Sequence, residues 1–281
     1  MDPKLDDIEF LVSSTHRVEV LDVLNESSRD RNDLRSRTGA SSPTLSRILA
    51  DFEDRNWIER RGKAYQLTGL GEFVIDRLAE FIEAMTVEQR LRGVWQWLPH
   101  EFDGFGVELF TDVKVTHPNP GYPDKPIERR IELIRETATW RGVGVAMLGL
   151  PTLELSFDRF LDDQDEFHCE YIYPPEVFEE LLSWGETETI VEAAATDSYT
   201  VLLHDELPLD NRFEISLFDD RVTICCYDHE TGALRALVET TSAEMRTWAE
   251  TYYEQFRTQA RPLGDALEDG SLQSIRETGS S

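Results

Sequence analysis

The first sixty positions contain three successive segments with helical patterns. The segment Ile8–Leu24 has one apolar face, which predicts a single supporting helix that buries Leu11, Val12, Val18, Leu21 and Leu24. A short helix over 30–37 follows, because Asp30 is a preferred N-cap and Gly39 tolerates the left-handed conformation just past a helix end. The segment 42–56 places four apolar residues at i, i+3, i+4 and i+7, which predicts one buried face: Leu45, Ile48, Leu49 and Phe52.

The third helix and the segment after it complete a recognisable unit. Ser41 or Ser42 can cap this helix, and Pro43 stands at its first position, where a missing N–H costs nothing. Asn56 suits a left-handed helix end, and Trp57–Thr68 reads as two strands around a tight turn at Gly62 and Lys63. Helices followed by a hairpin in this order predict a winged helix-turn-helix, with the hairpin as the wing.

The exposed chemistry of this unit suits nucleic acid. The solvent-exposed face of the third helix carries hydroxyls and an arginine near its N-terminal end. In a recognition helix this end contacts base edges in the major groove. The wing groups three basic residues that suit phosphates or a minor groove. We therefore expect double-stranded DNA as the partner, with contacts from Ser41, Ser42, Thr44, Ser46, Arg47, Arg60, Arg61 and Lys63.

Two alternatives stay open at this point. Some helix-turn-helix units bind only other proteins, so the winged unit could be a non-catalytic interaction module that holds a partner protein. The three basic residues of the wing could also be a solvated turn.

The charge distribution changes how DNA binding is understood. The 281-residue chain carries 56 acidic against 28 basic residues, a net charge of -28, yet the segment Arg29–Lys63 has nine basic against six acidic residues. The acidic excess, with only four lysines, resembles the proteomes of extreme halophiles. Because the Debye length is only about 3 Å at 1 M salt, close contacts such as those of Arg47 should carry most of the affinity.

The same composition bears on location. The first ten residues include acidic ones where a signal peptide needs a basic region, and the longest apolar run, Val143–Pro151, is too short to span a bilayer. We expect a cytoplasmic protein without membrane contact.

An amphipathic helix should follow the wing, with Leu70, Phe73, Val74, Leu78, Phe81 and Ile82 on its apolar face. Thr86 could cap a further, linking helix through Trp97. Such helices beside a winged unit commonly form a dimer seam, which predicts a homodimer. The alternative is that their apolar faces pack only within their own subunit.

From Pro99 onward the pattern changes to strands that alternate with helices, which predicts an α/β domain. The whole fold is expected to be α+β or α/β with two domains: a winged unit over 1–85, a linking helix over 86–98, a mixed α/β effector domain over 99–262 and a disordered tail over 263–281. The predicted elements of the second domain are strands over 105–115, 143–150, 167–173, 200–203, 213–217, 221–227 and 233–239, and helices over 127–140, 175–185 and 242–261.

We expect no enzyme, no cofactor and no metal site. The chain shows no glycine-rich phosphate loop, no nucleophile elbow and no HxK pair of the phospholipase D type. His168-Cys169 and Cys225-Cys226 with His229 offer soft ligands, but adjacent cysteines on a strand point to opposite faces and cannot easily share an ion. Buried cysteines acting as small apolar residues are the favoured interpretation.

Two segments carry a resemblance to known regulators. Residues 41–49 (SSPTLSRIL) and 65–71 (YQLTGLG) resemble archaeal winged-helix regulators of the ArsR-like group. The order of elements and the segment 173–178 (YPPEVF) resemble haloarchaeal proteins with a methanogenesis-regulator, or filamentation-regulator, type C-terminal domain. The resemblance implies a transcription regulator that binds DNA as a dimer and whose C-terminal domain senses a small-molecule effector or mediates regulation. Metal control through the winged unit is not expected, because that unit contains no cysteine.

Overall fold

The computed structural model describes residues 3–144, 167–183, 196, 198–207, 213–228 and 230–268. The chain is a mixed α and β protein that divides into two compact units, residues 1–86 and 87–281. The N-terminal unit is mainly helical, and the C-terminal unit contains a large sheet.

The N-terminal unit has the element order of a winged helix-turn-helix, which confirms the predicted fold. Its three short strands form an antiparallel sheet in the order β1-β3-β2, and the last two make the wing hairpin. The elements are α1 (Pro3–Val12), α2 (Thr15–Glu26), β1 (Arg29–Asp30), α3 (Arg31–Thr38), α4 (Ser42–Asp54), β2 (Ile58–Arg61), β3 (Ala64–Leu67) and α5 (Gly69–Leu91).

The helix ends follow the capping rules that the sequence suggested. The Asp30 carboxylate accepts hydrogen bonds from the backbone N–H groups of Asn32 and Asp33, and Gly39 ends α3 with a φ of 64°. Ser41, rather than Ser42, is the N-cap of α4. Asn56 has a φ of 56°, so it supplies the left-handed residue that turns the chain from α4 into the wing.

The single helix predicted over Ile8–Leu24 is wrong, because the chain breaks between α1 and α2. Ser14 has extended backbone angles and precedes the first residue of α2, a position that serine favours. Val12, expected on the buried face, is exposed, whereas Leu11 and Leu24 lie in the core. The sequence did not reveal the break between α1 and α2, because apolar residues keep their helical spacing across it.

The core of the N-terminal unit forms between the helices and the wing. All four predicted apolar residues of α4 are buried, and Phe52 lies 5.7 Å from Trp57, ring centre to ring centre. Ile75 and Leu78 bring α5 into this core. The buried face of α4 therefore fixes which of its side chains face outward.

The expected break near residue 86 is also wrong. Helix α5 continues from Gly69 to Leu91, and the Thr86 hydroxyl donates to the backbone carbonyl of Ile82 inside the helix instead of capping a new one. A short 3-10 turn over Trp95–Trp97 follows. Threonine at this position satisfies its hydroxyl one turn back, so it does not stop the helix.

The C-terminal unit contains an eight-stranded mixed sheet within the described residues, in the order β11-β7-β6-β5-β8-β9-β10-β4. The pairs β5–β6 and β6–β7 are parallel, and the remaining pairs are antiparallel. The elements are a 3-10 turn (Val107–Leu109), β4 (Lys114–Thr116), α6 (Lys125–Glu136), β5 (Thr139–Gly144), β6 (His168–Tyr173), α7 (Pro175–Ser183), β7 (Tyr199–Leu203), β8 (Phe213–Phe218), β9 (Val222–Tyr227), β10 (Leu234–Thr240), α8 (Ala243–Arg257), β11 (Arg261–Pro262) and α9 (Leu263–Glu268).

Two apolar clusters cover the two faces of this sheet. One contains buried residues of α6, α7 and α9, and the other contains those of α8. Cys225 belongs to the first cluster and Cys226 to the second, as alternation along a strand requires. A sheet covered on both faces explains why every residue of β8 and of β9 is buried.

Most predicted elements of the C-terminal unit are present, with three corrections. Phe105–Val115 is not one strand, since it contains a 3-10 turn before β4 begins. Helix α6 ends at Glu136, so Trp140 lies in β5. Residues 263–268 are not a disordered tail, because Leu263 and Ala266 are buried in the core. Predictions over 145–150, for Trp184 and Gly185, for His229 and for 269–281 fall outside the described residues.

A buried polar cluster lies between α6 and the sheet. Arg130 forms an ion pair with Glu214, and both are less than 4% exposed. Burial by itself would lower the pKa of Arg130, but Glu214 together with Cys225, Tyr171 and Tyr227 outweighs burial and raises this pKa. Tyr227 donates to the Glu214 carboxylate at 3.2 Å, and Ser216 donates to it at 3.1 Å. Removal of either charged partner would leave the other buried and unpaired, which typically costs about 3–5 kcal/mol.

Gly71 provides a test of how the wing packs on α5. A methyl group at Gly71 would clash with the backbone carbonyl of Trp57, whereas nothing lies within 4 Å of the corresponding position at Gly69. We expect Gly71→Ala to lower the free energy of unfolding of the N-terminal unit by about 1–3 kcal/mol, the usual range for overpacking. Gly69→Ala, two residues earlier in the same helix, is the control and should be neutral or stabilising. Denaturant titrations of both variants measure this difference, and equal midpoints would contradict the packing described here.

Candidate nucleic-acid interface

Hydroxyl groups at the N-terminal end of α4 are mostly engaged with the helix itself. Ser41 Oγ accepts from the backbone N–H of Thr44 at 3.3 Å and lies 2.8 Å from the Thr44 hydroxyl. Ser46 Oγ donates to the backbone carbonyl of Ser42 at 2.9 Å. The four hydroxyl residues predicted as DNA contacts are therefore brought together within two turns, where Ser41 and Ser46 also have local structural roles.

Arg31, at the first position of α3, is a member of this site that the sequence analysis did not single out. The two N–H bonds of its Nη2 are shared among three acceptors: the Ser42 carbonyl at 2.9 Å, Ser42 Oγ at 3.2 Å and Ser46 Oγ. A contact across eleven to fifteen residues has no periodic signal in the sequence. The only available sign was an arginine directly after the N-cap of the helix that precedes the recognition helix.

The charge on the exposed face of α4 changes from positive to negative along the helix. Arg47 is exposed and has no hydrogen-bond or ion-pair partner among the described residues. Asp51 and Asp54 follow it at i+4 and i+7, so they share its face. The N-terminal turns of α4 thus present a cation and hydroxyls, whereas the C-terminal turns present carboxylates.

The wing has the geometry that its sequence predicted. Arg61 pairs with Ala64 across the hairpin, so Gly62 and Lys63 form a two-residue turn, and Gly62 has a φ of 66°. Arg60 donates to the Gly62 carbonyl at 3.1 Å, and its guanidinium lies 5.7 Å from the centre of the Tyr65 ring. Lys63 is exposed and has no ion-pair partner in the part of the chain that the structure describes.

Carboxylates neutralise some, but not all, of the nine basic residues between positions 29 and 63. Four of them form ion pairs, with Glu26 and Asp33, with Asp7 or with Glu59: Arg29, Arg37, Arg55 and Arg61. The other five form no ion pair with any described residue: Arg31, Arg35, Arg47, Arg60 and Lys63. Four of these five residues lie in the predicted DNA-binding region: one in the N-terminal turns of α4, Arg31 beside those turns, and two in the wing. Uncompensated positive charge therefore occurs where DNA contacts were predicted.

The three cysteines of the C-terminal unit are buried and free. Burial raises the pKa of all three thiols, that of Cys225 to about 12. A thiol with such a pKa is protonated at neutral pH and is a poor metal ligand or nucleophile. In the described residues, no group of three His, Cys, Asp or Glu side chains is arranged to hold a metal ion.

The C-terminal unit has an open groove beside the last turns of α5. The groove has a volume of about 380 Å³ and is lined by Glu88, Leu91, Arg92, Trp95 and Val107. Its walls are mainly apolar, and the ion pair between Arg92 and Glu88 lies among them at 2.6 Å. The Arg92 guanidinium, through its hydrogen bonds, lowers the pKa of the Glu88 carboxyl.

Comparison with known families adds a match for each unit. Residues 123–259 match the middle domain of the methanogenesis regulatory protein FilR1. Residues 5–90 match the HVO_A0261 N-terminal domain. The first match confirms the predicted resemblance of the C-terminal domain to a methanogenesis regulator, whereas the ArsR-like character of the winged unit stays a prediction. No curated protein matches the chain.

Several solved structures are similar in part. TrmBL2, described as an archaeal chromatin protein with a novel mode of DNA binding, has 11% identity and a TM-score of 0.41 over 94% of this chain and 100% of its own. NucT from Helicobacter pylori has 13% identity and a TM-score of 0.43 over 54% of this chain and 99% of its own. Quinone-bound YodB from B. subtilis has 19% identity and a TM-score of 0.28 over 30% and 96%. Among the described residues, no helix is both long and apolar enough to cross a membrane.

Proposed function

We propose that the protein is a DNA-binding transcription regulator that reads double-stranded DNA with the N-terminal end of α4 and contacts the flanking backbone with its wing. The observation that carries this proposal is the coincidence of the winged helix-turn-helix, in an otherwise acidic chain, with four cations at the site that pair with no described carboxylate. The match of residues 123–259 to a domain of a regulatory protein supports the same conclusion. The protein is proposed not to be an enzyme.

The sign change along α4 defines how the helix should enter the groove. If α4 lay flat along the major groove, Asp51 and Asp54 would approach the phosphates and be repelled. Insertion by the N-terminal end places Arg47 and Thr44 near base edges and keeps the carboxylates outside. In molar salt such short-range contacts retain their strength, because screening acts mainly beyond the Debye length of about 3 Å.

Arg47 gives the first test of this arrangement. A duplex that binds tightly would be selected from a random library in the salt in which the protein is stable. We expect Arg47→Ala to weaken binding to that duplex by about 1–3 kcal/mol, because a base-edge contact is lost. Arg37→Gln, which removes a charge already paired with Glu26 and Asp33, is the control and should bind like the unmodified protein. Equal affinity of the Arg47 variant in a titration would contradict base reading by this residue.

The alternative function is a protein-interaction module in which the winged unit holds a partner protein. The exposed Lys63 and Arg60 favour DNA, because their charges have no carboxylate partner among the described residues. Replacement of Arg60, Arg61 and Lys63 by glutamine should abolish chromatin association in cells if DNA is the partner. Retained chromatin association together with retained protein partners would favour the alternative. Chromatin immunoprecipitation of both forms measures the difference.

We further propose that the protein acts as a homodimer. Two apolar stripes of the N-terminal unit are exposed: Leu70, Phe73 and Phe81 on α5, at 60%, 65% and 58%, and Leu5, Ile8 and Val12 on α1, each above half. Each set shares one helix face. Val74 is half-buried and Leu78 is buried in their own core, so the predicted α5 face is divided between internal packing and exposure. Exposed apolar faces of this kind mark protein interfaces.

A charge at the centre of the α5 stripe should therefore prevent dimerisation. We expect Phe73→Glu to convert a dimer into a monomer in sedimentation equilibrium, because an unpaired carboxylate would be buried in the interface. Val107→Glu adds the same charge at an exposed apolar residue of the C-terminal unit and should leave the mass unchanged. If the two variants have the same mass as the unmodified protein, the α5 face is not the seam.

Control through the C-terminal domain completes the proposal. Helix α5 belongs to both units, since the boundary at residue 86 falls inside Gly69–Leu91. A small-molecule effector that prefers one conformation of the C-terminal unit could alter the position of this helix and so the spacing of two recognition helices. An effector with equal affinity for both conformations would change nothing. The groove at Leu91 and Trp95 is one surface at which such an effector would act directly on α5.

A further inference from the structure

We propose that Arg31 is a positioning residue that determines sequence specificity, and that its remaining N–H groups contact a DNA phosphate. This inference rests on the proposed DNA-binding function and extends it to a residue of the preceding helix. The juxtaposition that supports it is the contact of one guanidinium nitrogen of α3 with three oxygens of the first two turns of α4.

The contact fixes the orientation of two predicted DNA-binding hydroxyls. Ser46 Oγ donates its proton to the Ser42 carbonyl and accepts from Arg31, so its donor is committed within the protein. Ser42 Oγ accepts from the same guanidinium at 3.2 Å. Because these hydroxyls are held on the α3 side of the helix, Thr44 and Arg47 on the other side are the residues that discriminate between bases. Without Arg31, the Ser42 hydroxyl could rotate and donate to any base acceptor, which would relax the sequence preference.

The charge of Arg31 is left available. Its three partners are neutral oxygens, and the carboxylates nearest in sequence are already engaged: Asp30 caps the N-terminus of α3, and Asp33 pairs with Arg29 and Arg37. The Nε and Nη1 groups of Arg31 donate to no described residue. In a chain with twice as many acidic as basic residues, an arginine that is fixed in place yet pairs with no described carboxylate fits a phosphate, which accepts such donors strongly.

Arg31 is proposed to act through both its positive charge and its rigid planar guanidinium, and a lysine substitution tests these two properties separately. Lysine keeps the charge but presents a compact ammonium group on a flexible stem, so it lacks the rigid planar fork that lets one nitrogen contact α4 while the other N–H groups stay free. Glutamine removes the charge as well. Arg37→Gln is the matched control, because Arg37 lies on the same helix and loses the same charge, yet its guanidinium pairs with Glu26 and Asp33 instead of contacting α4.

The experiment measures binding of the full chain to the selected duplex and to a scrambled duplex over a series of salt concentrations. We expect Arg31→Gln to reduce the slope of log affinity against log salt by about 1, the value for one lost phosphate contact, and to reduce the ratio of the two affinities by about fivefold or more. Arg31→Lys should keep the slope of the unmodified protein but show the same loss of discrimination. Arg37→Gln should change neither quantity.

Other results would overturn the inference in distinguishable ways. If Arg31→Gln matches Arg37→Gln in slope and in discrimination, Arg31 neither positions α4 nor contacts phosphate. If Arg31→Lys restores discrimination, charge alone is sufficient and the positioning role fails. If the unmodified protein does not prefer any selected duplex, the proposed function itself fails. Circular dichroism of each variant checks folding, and the conservative lysine variant keeps the test valid should the glutamine variant unfold.

Discussion

Burial of one face of α4 is the constraint on which the N-terminal unit depends. Leu45, Ile48, Leu49 and Phe52 are almost fully buried, so the helix cannot rotate about its axis without exposing them to water. Burial of this face therefore makes Arg47 point toward solvent and makes Ser42 and Ser46 face α3. The left-handed residue Asn56 then turns the chain so that the wing begins at once and covers the end of the same core. The chemistry of the exposed face is therefore decided by packing on the buried one.

Much of the N-terminal unit could be predicted from its sequence because each signal there is local. The Asp30 and Ser41 caps, the glycine end at Gly39 and the two-residue turn at Gly62 depend on neighbours within four residues. The break between α1 and α2 was missed since the apolar period passes through Ser13 and Ser14 unchanged. The role of Arg31 was missed for a different reason: its partners are eleven and fifteen residues away, and only the crossing of α3 and α4 brings them together.

The C-terminal unit shows a different limit of sequence patterns. Strands buried on both faces lose the alternation of polar and apolar residues, so their presence was visible while their pairing order was not. Strand β4 pairs with β10 at the edge of the sheet, although more than a hundred residues separate them. The helix at 263–268 was mistaken for a tail because, among its described side chains, Leu263 and Ala266 are the two that reach the core. So short an apolar signal cannot be distinguished from chance in a polar segment.

The proposed DNA-binding function requires an acidic protein to confine its attraction for DNA to a small surface. The net charge of -28 repels a polyanion at long range, but at high salt this repulsion is screened within a few ångströms, as attraction is. What remains is the set of contacts closer than the screening length, which favours arginines held in place over mobile lysines. The pairing pattern of the winged unit agrees with this: carboxylates neutralise Arg29, Arg37, Arg55 and Arg61, whereas Arg31 is anchored by neutral oxygens that leave its charge intact. Anchoring by neutral groups thus places a cation accurately without cancelling it, which a salt bridge cannot do.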